Sequence, residues 1–461
     1  MNNAFRGRGY VQKLCAAAAG LAPRPAHNFP SCPAPALALF NRRRAPYIGA
    51  IRNLPNFSMH VCVMGAGIVG LATAYELQRQ GMQVTVVDQA RPGAGASGGN
   101  GAQLSYSYVQ PLADSGIWAQ LPKLLLSPDS PLKLRPRWDP HQWRWGLDFL
   151  RACNRRASER GTATLLALAA RSRQGFERML AAERLECDFS RTGKLVLYAT
   201  QASLDDARRQ LELQRAWGCE QEAVTPARCV EIEPALAHYA AQIAGAIHTP
   251  SECAADCLQV CQGLHALLQA RGVRFVLGTR ITAVTRSAGR IVAAQTDAGA
   301  IEADAFVLAL GSGSHALART LGFALPVYPL KGYSITFDAA AGPGAAPRVS
   351  VTDAARKVVF ARLGRRMRVA GMAELVGYGM DIPQARIDSL CAATRALFPH
   401  SGMGRDLQPW AGLRPATPTG LPVVGRHARA PANLLLNTGH GALGFTLAFG
   451  TAAAVAEALA G

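Results

Sequence analysis

Hydrophobic positions change period along this chain, and the changes mark its elements. His60-Val61-Cys62-Val63-Met64 is a short apolar run, a glycine-rich turn follows at once, and Leu71 to Gln80 then has helical composition ended by Gly81. Val84-Thr85-Val86-Val87 makes a second run that ends in Asp88, so the pattern predicts strand, glycine turn, helix and strand. Val273 to Leu277 reads as a further strand, and Ile281 to Val284 and Ile291 to Gln295 alternate around a glycine turn like a small meander. Ala305 to Leu310 is a strand running into Gly311-Ser312-Gly313-Ser314. Leu165 to Leu180 and Leu204 to Trp217 are predicted helices with mixed apolar and Arg/Glu faces. Near the C-terminus Asn433 to Asn437 reads as a strand, Thr438-Gly439-His440-Gly441 as a turn, and Leu443 to Leu459 as an Ala-rich helix.

Composition narrows the class. At 461 residues the chain is about three times the usual 150 per domain, which predicts two domains. With 49% apolar and 17% charged residues, 45 Gly and 28 Pro, it is neither a disordered polyelectrolyte nor a coiled coil, and a Gly- and Ala-rich α/β enzyme fits. The formal charge of +19 suggests an anionic partner until it is divided along the chain. Residues 1–58 hold no Asp or Glu and contribute +8 through Arg6, Arg8, Lys13, Arg24, Arg42, Arg43, Arg44 and Arg52. Arg-rich, acid-free text with no sustained period reads as a targeting leader, or as an over-long start, since Met59 stands directly before the first strand.

The longest uncharged run, Pro431 to Ala456, is interrupted by Asn, Thr, His and Gly and does not read as a membrane span. The 11 cysteines lack CxxC pairs, which argues for a reducing, cytoplasmic compartment without a disulfide framework. Cys253, Cys257 and Cys261 recur every fourth residue, so on a helix they would share a face; in an Ala/Leu/Val context they are expected to be small buried side chains, and no metal is predicted.

The chemistry begins in the run Val61-Cys62-Val63-Met64-Gly65-Ala66-Gly67-Ile68-Val69-Gly70-Leu71-Ala72-Thr73-Ala74-Tyr75. Gly65 is expected to make the tight turn, Gly67 to let the backbone approach a pyrophosphate, and Gly70 to permit close helix packing, with the helix N-terminus facing the anion. Asp88, 21 residues after Gly67, is placed to accept the ribose hydroxyls of an adenosine. A second glycine-rich loop, Gly93 to Gln103, exceeds what a simple nicotinamide domain needs, and its Ser97, Asn100, Gly101 and Gln103 are candidates to wrap an extended FAD. Val284 of the meander, Gly311, and the C-terminal turn residues Gly439, His440, Gly441, Leu443 and Gly444 complete the expected cofactor contacts. The last helix would there point its positive end at the flavin pyrimidine.

Six separated motifs keep a common order: the Gly65–Gly70 turn, Tyr328-Pro329-Leu330-Lys331-Gly332-Tyr333-Ser334, Arg368-Val369-Ala370-Gly371-Met372-Ala373-Glu374, Gly412-Leu413-Arg414-Pro415, Pro422-Val423-Val424-Gly425 and Asn437-Thr438-Gly439-His440-Gly441. From Met59 onward the chain resembles the bacterial D-amino acid dehydrogenases, within the larger D-amino acid oxidase and glycine oxidase group. That resemblance implies FAD, oxidation of a D-amino acid such as D-alanine to the imino acid, release of 2-oxo acid and ammonia, and delivery of electrons to a quinone-type acceptor. It also implies a Rossmann-like FAD-binding domain, discontinuous in sequence (59–112, 247–328 and 408–461), with an inserted α+β substrate domain (113–246 and 329–407).

Amine oxidation by flavin needs a held carboxylate and an aimed C–H bond, with no acid pair or catalytic triad. Arg414 is the expected carboxylate clamp, since a guanidinium matches a carboxylate at two points, with Arg362 next in line. Tyr333 and Lys331 are expected to line the site. Val359 stands where glycine oxidases carry a carboxylate-binding tyrosine, a departure that argues against glycine specificity. Trp118, Trp138, Trp143 and Trp145 lie among Lys123, Lys133, Arg135, Arg137 and Arg144. Such a mixture suits peripheral contact with the cytoplasmic face of the inner membrane, or packs as an aromatic cluster with cation stems along it. No nucleic-acid motif accompanies it. The alternatives are an oxygen-using glycine or sarcosine oxidase and a non-catalytic FAD-binding subunit.

Overall fold

The computed structural model describes residues 58–109, 113, 132–215, 218–404 and 406–460. The expectations for residues 1–57, Trp118, Lys123 and Trp217 lie outside these.

The first strand, β1 (His60–Met64), is buried from Val61 onward and pairs in parallel with β2 (Gln83–Asp88) on one side and with Ala305–Leu308 on the other. Continuous apolar runs of this kind belong to strands covered on both faces. Arg274–Leu277 extends the sheet beyond β2, Leu434–Thr438 extends it beyond Ala305–Leu308, and Val423–Gly425 closes that edge antiparallel. This is the doubly wound arrangement in which ligands sit at the carboxyl ends of the strands. The meander is a separate three-stranded antiparallel sheet, Ile281–Ser287, Arg290–Thr296 and Gly299–Glu302. Asn433 ties it to the parallel sheet through Ile291 N–H and the carbonyls of Ile291 and Asp304.

A nine-stranded mixed sheet forms the second layer, with Gln408–Ala416, Tyr328–Asp338, Arg366–Leu375, Val358–Leu363, Ser350–Asp353, Lys194–Tyr198, Gly245–Thr249 and Glu222–Val224 in order and Leu132–Leu134 paired to Arg366–Leu375. Two of these strands fall where the resemblance implies nucleotide-domain segments. Gly245–Thr249 crosses the expected boundary at 247, and Gln408–Ala416 pairs along its whole length with Tyr328–Asp338 rather than with the parallel sheet. Periodicity identifies a strand but not its partner, and this is where the two readings part.

The helix α1 (Ile68–Arg79) packs on one side of the final helix in one apolar core, where the helices Arg155–Glu183 and Gly444–Ala460 also pack directly on each other. Gly175 and Gly450 bring the latter two together: a Cβ at Gly175 would sit 2.9 Å from Phe449 Cβ, and one at Gly450 would sit 2.5 Å from Leu168 O. Phe176, Phe445 and Phe449 fill the junction edge to face. Buried Glu76 of α1 is paired by Arg79 one turn on and by Arg178 of the helix Arg155–Glu183. The segment Gly441–Ala460, which overlaps the run Pro431 to Ala456, is long and apolar enough to cross a membrane by length and composition alone. Its side chains are instead buried against α1 and Arg155–Glu183, as in the core helix of a folded domain.

The Cys253/Cys257/Cys261 spacing also resolves differently. Cys253 lies on the short strand Cys253–Ala254, and the helix begins only at Cys257, so the three do not share a helical face. All three are buried, and burial pushes the Cys253 thiol up to about 11. Among the described residues no cluster of His, Cys, Asp and Glu could hold a metal ion.

Candidate active site

A cleft of about 1060 Å³ runs between the two sheets, floored by the carboxyl ends of the parallel strands. At one end the glycine turn works through contact distance. Gly65 has φ +118°, and a Cβ there would overlap Ala309 O; a Cβ at Gly70 would overlap Gly65 O. These two glycines let helix and strand meet. Gly67, by contrast, faces the cleft, with Ser97 Oγ at 3.5 Å as the nearest atom to an added Cβ. It starts α1 with no side chain of its own to cap it and no acid in the first turn; Ser97 Oγ accepts from Ile68 N (3.1 Å), and the positive end of the helix lies at the cleft. Asp88 lines the same end and accepts hydrogen bonds from Ala66 N (2.7 Å) and Ala90 N (2.8 Å), which fixes the carboxylate at the turn.

Of the run Val61 to Tyr75, only Gly67, Ile68 and Val69 line the cleft. Val61 to Met64, Ala66 and Leu71 to Tyr75 are core. Val284 does not reach the cleft either; it pairs with Ala294 and packs under the meander, while Thr279, Arg280, Ile281 and Thr282 form the wall. Gly439 sits behind it against Thr417. Ser97, Asn100, Gly101, Gln103, Gly311, His440, Gly441, Leu443 and Gly444 all line it.

The second glycine loop owes much of its composition to packing. A Cβ at Gly99 would fall 2.5 Å from Trp410 Cδ2, one at Gly101 would fall 2.9 Å from Val359 Cγ2, and one at Gly93 would meet Leu258 at 2.9 Å. Polar side chains then pin the loop across the nine-stranded sheet. Ser334 Oγ donates to Gly99 O (2.7 Å), Arg368 Nη1 to Asn100 O (3.4 Å), and Gln103 Nε2 to Val351 O and Phe360 O (3.2 Å each).

At the other end Arg414 projects from Gln408–Ala416 into the cleft. Its Nη1 donates to Met372 O at 2.7 Å, and no Asp or Glu among the described residues pairs with it. Burial alone pushes its guanidinium down to about 10, so it remains a cation at neutral pH. Arg362 is exposed and bonds Gly364 O, which removes it as a clamp. Tyr333 lines the cleft, but its hydroxyl donates to Glu374 Oε2 (2.7 Å), whose Oε1 is ion-paired with Arg386 at 2.5 Å. Lys331 is not in the wall: its ammonium turns away to the Asp381 carbonyl and to Asp381 Oδ1 at 3.1 Å. His440 is buried, with Nε2 3.0 Å from Thr451 Oγ1, and burial pushes it down to about 3, so it is neutral.

Sequence reasoning missed Trp410, Lys194, Lys357 and Tyr378, all of which line the cleft. Lys194 had a signal, a lone charge opening the otherwise apolar strand Lys194–Tyr198. It is buried, bonds Ser105 Oγ at 2.8 Å and lies over the Tyr108 ring, and burial lowers it to about 8. With Lys194, Arg280, Lys357 and Arg414 against Asp88 alone, the cleft is electropositive and suits an anionic occupant. The open Gly67 turn, the fixed Asp88 and the backbone-lined wall at Gly311 and Gly441 fit an extended dinucleotide such as FAD, leaving the Arg414 end for a small carboxylate.

Comparison with known proteins bears on the family and the fold. The family described as FAD dependent oxidoreductase (DAO) matches residues 60–458. The chain is 48% identical over 415 residues to a D-amino acid dehydrogenase 2 of Ralstonia nicotianae, covering 87% of this chain and 96% of that protein. It is 45% identical over 403 residues to a D-amino acid dehydrogenase 2 of Pseudomonas aeruginosa, covering 87% and 94%. Among solved structures, glycine oxidase of Geobacillus kaustophilus superposes with a TM-score of 0.69 at 20% identity over 87% of this chain and 95% of that one, a likeness of fold.

Proposed function

This chain belongs to the DAO family of FAD dependent oxidoreductases, and we propose that within it the protein oxidises D-amino acids, D-alanine among them, to imino acids that water converts to 2-oxo acid and ammonia. The observation that carries the substrate class is Arg414, a buried cation facing the cleft with no carboxylate of the protein beside it. A substrate carboxylate supplies the missing partner at two points. FAD, when bound, takes up the hydride lost from the substrate α-carbon.

The protein's own residues set the protonation state. Asp88, at the dinucleotide end, is the single acid in the described cleft wall, and neutral His440 adds no charge. Among the described residues the substrate end therefore holds no carboxylate to pair an ammonium, and it favours the amino acid with its amine neutral and its carboxylate on Arg414. Tyr333, tied to Glu374, acts as wall rather than as a free hydroxyl.

Two further features support a membrane quinone as acceptor and a place on the cytoplasmic face of the inner membrane. Trp138, Trp143, Leu134 and Leu147 are exposed beside Lys133, Arg135, Arg137 and Arg144 on the strand Leu132–Leu134, the helix Pro140–Ala152 and the connection between them. Tyr378, Met380 and Ile382 are exposed on the adjoining loop, and Tyr378 also lines the cleft. An apolar, basic surface at a cleft mouth suits contact with an anionic bilayer carrying an apolar acceptor. Trp145, by contrast, is packed: it stacks on Phe149 and donates to Ala416 O at 2.8 Å.

Anaerobic titration of the purified yellow protein with a panel of D- and L-amino acids tests the reading. Bleaching by D-alanine, and oxidation of the reduced protein by a quinone without peroxide, is the expected result. Rapid peroxide formation with glycine or sarcosine would point to the oxidase alternative, and a yellow protein that no amino acid bleaches would point to a non-catalytic subunit.

A further inference from the structure

Lys331 is fully buried in the strand Tyr328–Asp338, yet both hydrogen-bond acceptors of its ammonium belong to Asp381, whose side chain is 77% exposed on the loop 376–383. A buried ammonium must be satisfied by acceptors or by water. Here a surface loop supplies the acceptors, and lifting that loop would replace them with water. The contact is therefore one that can be made or broken without leaving an unpaired charge.

The loop has few other attachments. Its base is held by the buried ion pair between Glu374, near the end of the strand Arg366–Leu375, and Arg386, in the first turn of the helix Gln384–Leu397. Gly377, at φ +79°, passes so close to Arg137 that an added Cβ would lie 2.9 Å from its Nε. Tyr378, Met380 and Ile382 are all exposed, so the segment owes little to the apolar core and belongs to the easily opened parts of the fold. Tyr378 is nonetheless part of the cleft wall and meets the Tyr328 ring edge on at 6.2 Å.

We infer that loop 376–383 is a lid over the substrate end of the cleft, that Lys331 is the positioning residue that latches it through Asp381, and that Tyr378 is the lid residue that meets the substrate side chain. The inference rests on the amino acid oxidation reading for the identity of the substrate; the latch itself does not. It accounts for a buried lysine beside Tyr333, with Nζ 5.4 Å from the ring centre, that does not face the cleft. Closure of the lid would exclude water from the carboxylate on Arg414 and strengthen that ion pair.

The test combines limited chymotrypsin cleavage after Tyr378 with steady-state kinetics on the FAD-loaded protein. Lys331→Met and Asp381→Ala should each speed cleavage about ten-fold and raise KM for D-amino acids about ten-fold while kcat changes less than about two-fold, as expected for losing charge-assisted hydrogen bonds in the closed state. Tyr378→Ala should shift the kcat/KM ratio of D-phenylalanine to D-alanine by about ten-fold. Asp381 is exposed, so its variant keeps the fold and decides the matter should Lys331→Met misfold. Cleavage and KM at wild-type values in Asp381→Ala would overturn the latch, and an unchanged substrate ratio in Tyr378→Ala would overturn the role of Tyr378. A wild-type protein reduced by no amino acid would overturn the functional reading, and the cleavage comparison would still decide the latch.

Discussion

The guanidinium of Arg414 lies against the backbone of Gly332, in the space that a side chain at Gly332 would occupy. The two belong to neighbouring antiparallel strands, in which Gly332 pairs with Gly412 and Arg414 with Leu330. The missing Cβ is what gives the guanidinium room, with Nη1 on Met372 O and the side chain in the cleft wall. Gly332→Ala is therefore expected to displace the clamp while leaving the dinucleotide end intact. KM for D-alanine should rise at least about ten-fold with FAD content unchanged, a result read from steady-state kinetics and the flavin absorbance ratio.

Arg414→Lys should keep the fold and the yellow colour but slow reduction by D-alanine. An ammonium cannot reproduce the planar two-point grip, and losing such a contact is worth on the order of 3 kcal/mol, about two factors of ten in rate. Stopped-flow anaerobic reduction measures it, and an amine that lacks a carboxylate should show no such loss. Reduction by D-alanine at the wild-type rate would move the clamp elsewhere.

Gly67→Val should abolish FAD retention without unfolding the protein, because its side chain would project into the cleft, where Ser97 Oγ at 3.5 Å is the nearest atom to its Cβ. Gly70→Ala should instead destabilise the apoprotein, since its Cβ would overlap Gly65 O. Flavin content and thermal unfolding of the two apoproteins separate the effects.

His440 carries a pH signature. Burial holds it neutral down to about 3, whereas in the unfolded chain it takes a proton near 6.5. Between these values the unfolded state binds more protons, so the His440 contribution lowers stability as pH falls, by up to about 1.4 kcal/mol per pH unit. Urea unfolding of FAD-loaded wild type and His440→Gln at pH 7 and pH 5 should show the variant losing less stability, by about 2 kcal/mol over that interval. Equal losses would mean that His440 is protonated within the fold.

Trp143→Ser combined with Leu147→Ser, both exposed on the helix Pro140–Ala152, should reduce flotation with anionic phospholipid vesicles without changing reduction by D-alanine. High salt should weaken wild-type binding in the same assay, because the basic side chains around the patch act through screened charge. Undiminished flotation would place the contact on another face.

Local pattern by itself determined the β1–α1–β2 unit, the acid at the end of β2, the strand at Ala305–Leu308, the meander and the final helix, because period, glycine spacing and capping act within a few residues. Arg414 was singled out by the resemblance of Gly412-Leu413-Arg414-Pro415 to the family's motif together with the match of a guanidinium to a carboxylate. Tertiary structure decided what depends on partners far along the chain. Gln408–Ala416 joined the nine-stranded sheet, Cys253 left the helix of Cys257 and Cys261, and the apolar segment Gly441–Ala460 was buried rather than exposed. It also turned Lys331 away from the cleft toward Asp381, 50 residues on, and brought Lys194, Trp410 and Tyr378 into the wall. A strand places successive side chains on opposite faces, but which face meets the cleft, and which loop crosses it, follows only from sheet pairing and packing.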